Sequence, residues 1–370
     1  MSDSEDSTGS MLRETTARIF ADLADPQTVN SAPDNSWKAP LWAALEEAEL
    51  TLAWVSEKHG GAGAGTLDGF EILRVAGHYA APVALAETLL AGRFLDAAGI
   101  ACPSGPLTVA PLRLGDQFVC ARDGTISGSA RAVPHMADAR AVVVIAERDP
   151  GDDAELGAEP DEGQVVALMA PGAFKVTERA TDMGGERADI ALDHVFPVEV
   201  AEAPAGWHAD TAMLTGAAVR AMQMTGALET VLDLAVRHAL DRVAFGRPIA
   251  KFQAVQHNLA RLAGEVAAAL AAAGSAAETL HSATGFDGEV LLEIAAAKIR
   301  AGEAVTRGGA IAHQVHGAIG WTAEHVLQRF TRRMWGWRDD FGAESHWAAM
   351  LGDLAAEAGA DALWPMLAAR

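Results

Sequence analysis

Apolar positions fall into three regimes along the chain. From residue 11 to about 104 they recur at helical spacing: Leu12, Ile19, Phe20 and Leu23 share one face, then Trp42, Leu45, Ala48 and Leu50 another. A period near 3.6 residues predicts amphipathic helices. Between the two groups, Pro33-Asp-Asn-Ser36 reads as a loop placed to cap the helix that follows. The stretch from Leu50 to Gly65 ends in a glycine run that no helix tolerates. That run has neither the Lys-Ser/Thr of a P-loop nor Rossmann spacing, so it predicts a flexible connector rather than a phosphate loop.

From Pro103 to about Pro204 the period shortens. Leu107–Val109, Phe118–Ala121, Ala141–Ala146, Val165–Met169, Val176–Glu178 and Ile190–Leu192 are short runs, several of them β-branched, with turn signals at Asp123-Gly124 and Pro171-Gly172. They predict a small antiparallel β domain. Arg148 to Gly163 is acidic and rich in Gly and Pro, which predicts a solvated loop between strands. From about His208 long alanine-rich helical patterns return, broken near Gly246 and at Gly285-Phe-Asp-Gly288, with further helices over 289–312 and 322–335. The expected architecture is therefore α+β: an N-terminal helical domain (1–104), a middle antiparallel β domain (105–205) and a C-terminal helical bundle (206–370).

Composition narrows the function classes. With 370 residues the chain can bury two or three cores. Its net charge of −22 argues against sequence-independent nucleic-acid binding, which draws on clustered Lys and Arg. Any polyanionic ligand would need a local basic patch against that field. No apolar run approaches the ~20 residues that span a bilayer. The opening Met-Ser-Asp-Ser-Glu-Asp lacks the layout of a signal peptide, so the expectation is a cytoplasmic protein with no membrane segment. Cys102 and Cys120 give no disulfide framework and no metal-ligand spacing; they read as small buried apolar residues, and no metal is expected.

Two motifs carry chemistry. The first is Arg242-Val-Ala-Phe-Gly-Arg-Pro-Ile-Ala-Lys-Phe-Gln-Ala-Val-Gln256, which turns between two helical patterns. The second is Gln314-Val-His-Gly-Ala-Ile-Gly-Trp-Thr-Ala-Glu324. Together they resemble the C-terminal helical domain of acyl-CoA dehydrogenases, and the helix, β domain, helix bundle order extends the resemblance over roughly residues 35 to 352. The resemblance implies FAD as cofactor and an acyl-CoA thioester as substrate. A carboxylate takes the α-proton, the β-hydride passes to the flavin, and positioned donors polarise the thioester carbonyl. It further implies that Arg242, Phe245, Gln253, Gln314 and Gly317 are the cofactor-binding residues, reaching the pyrophosphate and adenine side of a flavin held mainly by a neighbouring subunit. A guanidinium pairs with phosphate oxygens, and glycine lets backbone N–H groups approach. Ala318 stands where a second glycine is usual in the family.

Other family positions are altered. The stretch Thr108-Val-Ala-Pro-Leu-Arg-Leu-Gly-Asp116 lacks the family's flavin-contacting pattern, and Val133 and His135 stand where a tryptophan and a threonine pack against the ring. A valine supplies no aromatic surface. At the usual catalytic-glutamate position stands Phe341, beside Asp340, and the alternative position falls at Gly216-Ala217. Asp340 is the candidate base; the competing expectation is that this acidic stretch pairs with Arg332, Arg333 and Arg338. His316 in the second turn, and Trp335 with Trp337, are read as packing residues.

The losses are ordered: residues that would serve a neighbour's FAD remain, while those that would hold the chain's own ring are altered. The leading expectation is a subunit of a heteromeric (heterotetrameric) acyl-CoA dehydrogenase that pairs with an intact homologous subunit and contributes ADP-side contacts. Such enzymes in the resembled family act on bulky thioesters such as steroid side chains. The alternatives are a self-associating dehydrogenase using Asp340, a nitroalkane-type flavin oxidase on the same fold, and a non-enzymatic scaffold.

Overall fold

A computed structural model of the chain describes residues 2–149, 163–178, 185–207 and 209–368. The acidic stretch expected to form a solvated loop falls almost wholly in 150–162, outside the described residues. Five helices come first: α1 (Ser2–Leu23), α2 (Pro26–Ser31), α3 (Lys38–Glu47), α4 (Thr66–Tyr79) and α5 (Leu85–Ala97). α1 starts well before its apolar stripe does, because polar residues carry no periodic signal yet do not forbid a helix. The Pro33–Ser36 loop does not cap α3. Trp37 is the capping residue and makes no side-chain bond, while Asp34 instead accepts from the Ser36 N–H at 2.9 Å.

Eight strands follow: β1 (Leu107–Ala110), β2 (Gln117–Cys120), β3 (Ile126–Pro134), β4 (Ala141–Arg148), β5 (Gln164–Met169), β6 (Lys175–Glu178), β7 (Arg187–Val195) and β8 (Glu199–Glu202). They form one sheet in the order β6-β7-β3-β2-β4-β5-β8, with β1 beside β4. Most pairs are antiparallel, while β1 and β2 each run parallel to β4. Val142–Ala146 and Val165–Met169 are buried throughout, which is why they read as unbroken apolar runs rather than alternating ones; α5 packs over β1, β4 and β5. Cys120 is buried and Cys102 half-buried. Burial pushes the Cys102 thiol up to about 12, so neither is primed for thiolate chemistry.

The remaining elements are α6 (Ala209–Asp241), the hairpin strands β9 (Val243–Ala244) and β10 (Arg247–Pro248), α7 (Gln253–Ser282), α8 (Gly288–His316), α9 (Leu327–Asp339), α10 (Glu344–Ala358) and α11 (Ala360–Ala368). α7 is long and apolar enough to cross a membrane by length and composition; here Leu262, Val266, Ala269, Ala273 and Leu280 line its buried face, and it packs along α6 and α8. α4 and α6 meet backbone to backbone. A Cβ on Gly77 would lie 2.3 Å from the Gln223 carbonyl oxygen, and one on Gly226 would lie 2.0 Å from that of Arg74. Only glycine permits this approach, and it leaves little room between the two helices.

Candidate functional site: two outward turns and a filled interior position

The first motif leaves α6 and reverses through the β9–β10 hairpin, where Arg247 pairs with Ala244 and Pro248 with Val243. Phe245 and Gly246 form the two-residue turn with φ of 51° and 78°. Both are left-handed, as a tight hairpin with matching strand twist requires. A phenylalanine in that conformation is a strained choice, and its ring is 96% exposed. It meets Phe252 edge-on with ring centroids 6.2 Å apart, so burial does not explain why an aromatic stands there. Arg242 is exposed, and among the described residues its guanidinium has no ion-pair partner. Gln253, the first residue of α7, is exposed as well.

The second motif closes α8. Gln314 and Gly317 are exposed. Gly317 has φ 66° and donates its N–H to the His313 carbonyl, with nothing within 4 Å of where a Cβ would stand. The two turns share one end of the bundle, since His238, four residues before Arg242, stacks on His316 with ring centroids 4.5 Å apart. Leu240, Val243, Ile319 and Trp321 add exposed apolar surface to the same two segments. Exposed apolar surface thus lies beside a guanidinium that has no ion-pair partner among the described residues.

The interior is the opposite. Phe341 is buried, has φ 54° and donates its N–H to the Leu112 carbonyl at 2.9 Å. Its ring lies against Gly216, where a Cβ would fall 2.3 Å from it. The two positions at which the resembled family places its base thus face one another, and an aromatic ring fills the space between them. Around it is a closed ion cluster. Asp340 is fully buried and accepts from Arg187 at 2.8 and 3.1 Å and from Arg220 Nε at 3.2 Å; Arg113 Nη2 lies at 3.3 Å. Of the Arg332, Arg333 and Arg338 expected to pair with this acidic stretch, Arg338 pairs with Glu344 at 2.5 Å, whereas Asp340 takes these other partners. Arg220, itself buried, also donates to Glu87 and to Gln223 Oε1 at 2.6 Å. Burial alone would raise the Asp340 pKa, but Arg187, Arg220 and Arg113 hold it well below the ordinary carboxylate range. Lys298, fully buried, donates to the carbonyls of Arg338 and Gly342 at 2.7 and 2.6 Å and pins the turn on either side of Asp340. A carboxylate so coordinated binds protons weakly, the reverse of what a general base near neutral pH needs.

The remaining altered positions are tied up locally. Asp116 accepts from Arg131 Nε at 2.6 Å and from its N–H at 2.7 Å, Thr108 donates to the Pro134 carbonyl, and Val133 is buried in β3. His135 is buried near Glu87, at 4.0 Å. Burial lowers its pKa to about 4 despite that carboxylate, so the ring is neutral. Trp337 is buried and Trp335 half-buried. Glu87, Arg187 and Arg220 are the interior residues that sequence reasoning missed. The available signal was a lone charge inside an apolar helical stretch, as in Ala86-Glu-Thr-Leu89 and Val219-Arg-Ala221.

Residues 205–338 match the family described as acyl-CoA dehydrogenase, C-terminal domain. The chain is 29% identical over 334 residues to the acyl-CoA dehydrogenase IpdE2 of Mycobacterium tuberculosis, covering 88% of this chain and 90% of that protein. Its fold is similar to the ChsE4-ChsE5 complex of Mycobacterium tuberculosis (TM-score 0.79, 22% identity, 95% of this chain and 98% of that one). It is also similar to a variant of the Tcur3481-Tcur3483 steroid ACAD (TM-score 0.80, 25% identity, 95% and 99%).

Proposed function

This chain belongs to the acyl-CoA dehydrogenase family, and we propose that it acts as the cofactor-completing subunit of a heteromeric α,β-dehydrogenase, not as a self-contained enzyme. Arg242, Phe245, Gln253, Gln314 and Gly317 reach across the subunit interface to the ADP portion of a FAD whose ring lies in a homologous partner. The observation that carries this reading is the pairing of an outward, unpaired clamp with a sealed interior. Phe245 is almost wholly exposed, whereas Phe341 occupies the place of the base.

The residues fit FAD on one side only. Arg242 offers a free guanidinium for a pyrophosphate, and Gly317 leaves its backbone open to close approach. On the chain's own ring side, Arg131 and Asp116 satisfy each other, and Val133 offers no aromatic surface. Bound FAD supplies hydride acceptance during desaturation of an acyl-CoA thioester, with the partner providing the base and most of the acyl pocket. Asp340 in this scheme is structural, locking the 338–342 turn to α6 and β7. Similarity to proteins named as a two-component complex and as a steroid dehydrogenase favours a bulky acyl-CoA substrate and an unlike partner.

The test is the visible spectrum of the purified chain, alone and co-expressed with an intact homologue from the same genome. The expected result is a colourless chain and a yellow complex carrying about one flavin per pair of chains, each flavin being shared between two subunits. A chain that is yellow by itself, with one flavin per chain, would favour the self-associating dehydrogenase and sink this proposal.

A further inference from the structure

Three histidines lie behind the two turns and touch one another. His238, half-buried on the last part of α6 and four residues before Arg242, stacks on His316, the residue before Gly317, with ring centroids 4.5 Å apart and planes 26° apart. His325, in the segment leading into α9, meets His316 edge-on at 4.6 Å and His238 at 6.4 Å. The His325 Nδ1 accepts the Leu327 N–H at 3.1 Å, so the start of α9 is tied to the same group. Each turn follows the end of its helix, where fraying sets in, and the hairpin has only two residues in each strand. A contact between the last turns of α6 and α8 therefore fixes one turn relative to the other.

The rings are uncharged at neutral pH. His316 donates from Nδ1 to the Ala312 carbonyl, which leaves its buried Nε2 a lone pair without a partner. A second proton there would make a buried cation with no acceptor. Burial is the first cause lowering all three pKa values below 6.5, and that of His316 falls to about 4. The other groups felt at the rings are His313 of α8 and, on α6, Arg242, which lowers His238, and Asp241, which raises it. We infer that the His238–His316–His325 stack is a positioning device that holds the first turn to the second at the spacing a shared cofactor requires. This rests on the proposed subunit role and deepens it: Arg242, Gln314 and Gly317 hold the cofactor, and the rings hold those residues. Neutral rings keep the spacing, whereas imidazolium rings this close repel and part.

The experiment measures flavin retention by the co-expressed complex, from its visible spectrum after gel filtration between about pH 7.5 and about pH 4.5. Amide exchange of the isolated chain is followed beside it. His238→Ala should weaken retention at neutral pH by about 2–10-fold, the strength of an aromatic pair. It should also speed exchange at Gly317 and Ile249, whose N–H groups bond to the His313 and Arg242 carbonyls. His238→Phe keeps a stacking ring that cannot charge, so it should restore both readings at neutral pH and retain more flavin than wild type in acid. The two are compared at each pH because His135 charges in the same range and is present in both. A residue that merely fills space would show the loss and the rescue without the altered pH profile. Retention equal in wild type and His238→Ala, or a Phe variant that loses flavin with falling pH as wild type does, would overturn the inference. A wild-type pair without flavin would sink the subunit role and this inference together; a yellow wild-type pair with insensitive variants would sink this inference alone.

Discussion

The 242–253 and 314–317 turns and the 341/216 position have diverged in opposite ways. At the turns, every residue that the family resemblance singles out faces outward, and Phe245 holds a left-handed backbone that folding of this chain alone does not reward. At 341, a residue in the same backbone region is buried against a glycine and ringed by ion pairs. One phenylalanine is almost wholly exposed, with an edge-on contact to Phe252, and the other is buried. The comparison teaches that a site is closed by filling it. On the proposed reading, an aromatic seated on Gly216 where the resembled family has its carboxylate removes the base and its working space together. The turns stand at the C-terminal ends of α6 and α8, so a filled interior leaves their outward residues unchanged, as the proposed subunit role requires.

The most direct way to break this contrast is at Asp340. Asp340→Ala should cost about 3–5 kcal/mol of stability, because Arg187 and Arg220 are left buried without their counter-charge; chemical denaturation would read it. Were Asp340 instead the base of a self-contained dehydrogenase, Asp340→Asn would abolish turnover of a yellow homo-oligomer while sparing the denaturation midpoint. Gly216→Ala comes next. The added methyl overlaps the Phe341 ring, and overpacking of this kind costs about 1–3 kcal/mol, whereas Gly264→Ala, with nothing within 4 Å of its Cβ, should be neutral or slightly stabilising.

Much of the fold was legible in the sequence, and the interior was not. Helical spacing announced the faces of the N-terminal helices, and the unbroken apolar runs at 141–146 and 165–169 announced β4 and β5. The parallel pairing of β4 with β1 and β2 was hidden, because periodicity reports a strand's exposure and not its neighbour's direction. The outward turns were legible because their residues act through local spacing. The ion cluster was not, because it joins Glu87, Arg113, Arg187, Arg220 and Asp340 from five separate segments. Sequence proximity pointed the acidic stretch ending at Glu344 toward Arg332, Arg333 and Arg338; Arg338 does pair with Glu344 at 2.5 Å, while Asp340 turns inward to Arg187 and Arg220.

At the turns the expected effects concern the complex and not the fold. Arg242→Ala should leave the chain's melting unchanged within about 0.5 kcal/mol, as for an exposed residue with no partner. Flavin retention by the co-expressed complex should fall by roughly 10–100-fold, the value of a charged hydrogen bond to a phosphate. Equal loss of stability in the isolated chain would mean that Arg242 is a structural residue and would erase the contrast with Asp340.

The smallest effect separates the two regions by pH. His316 donates from Nδ1 to the Ala312 carbonyl at 2.7 Å, while its Nε2 is buried without a partner. Burial, with His238, His325 and His313 close by, lowers its pKa from 6.5 to about 4 even though the Ala312 bond raises it. Between those values the unfolded chain binds more protons than the folded one, so stability is full above pH 6.5 and declines as pH falls toward 4. Asp340 has the same sign in a lower window: its contribution is full above 3.8 and is lost only as pH falls through its depressed folded value. Acid should therefore act in one window on His316 at the α8 end and on His135 beside Glu87, and reach Asp340 only later. A melting curve followed against pH should show a shallow decline that His316→Gln reduces and a steep one that Asp340→Asn removes. If both variants flatten the same limb, the turns and the interior form one cooperative unit, and the independence that the proposed subunit role requires is lost.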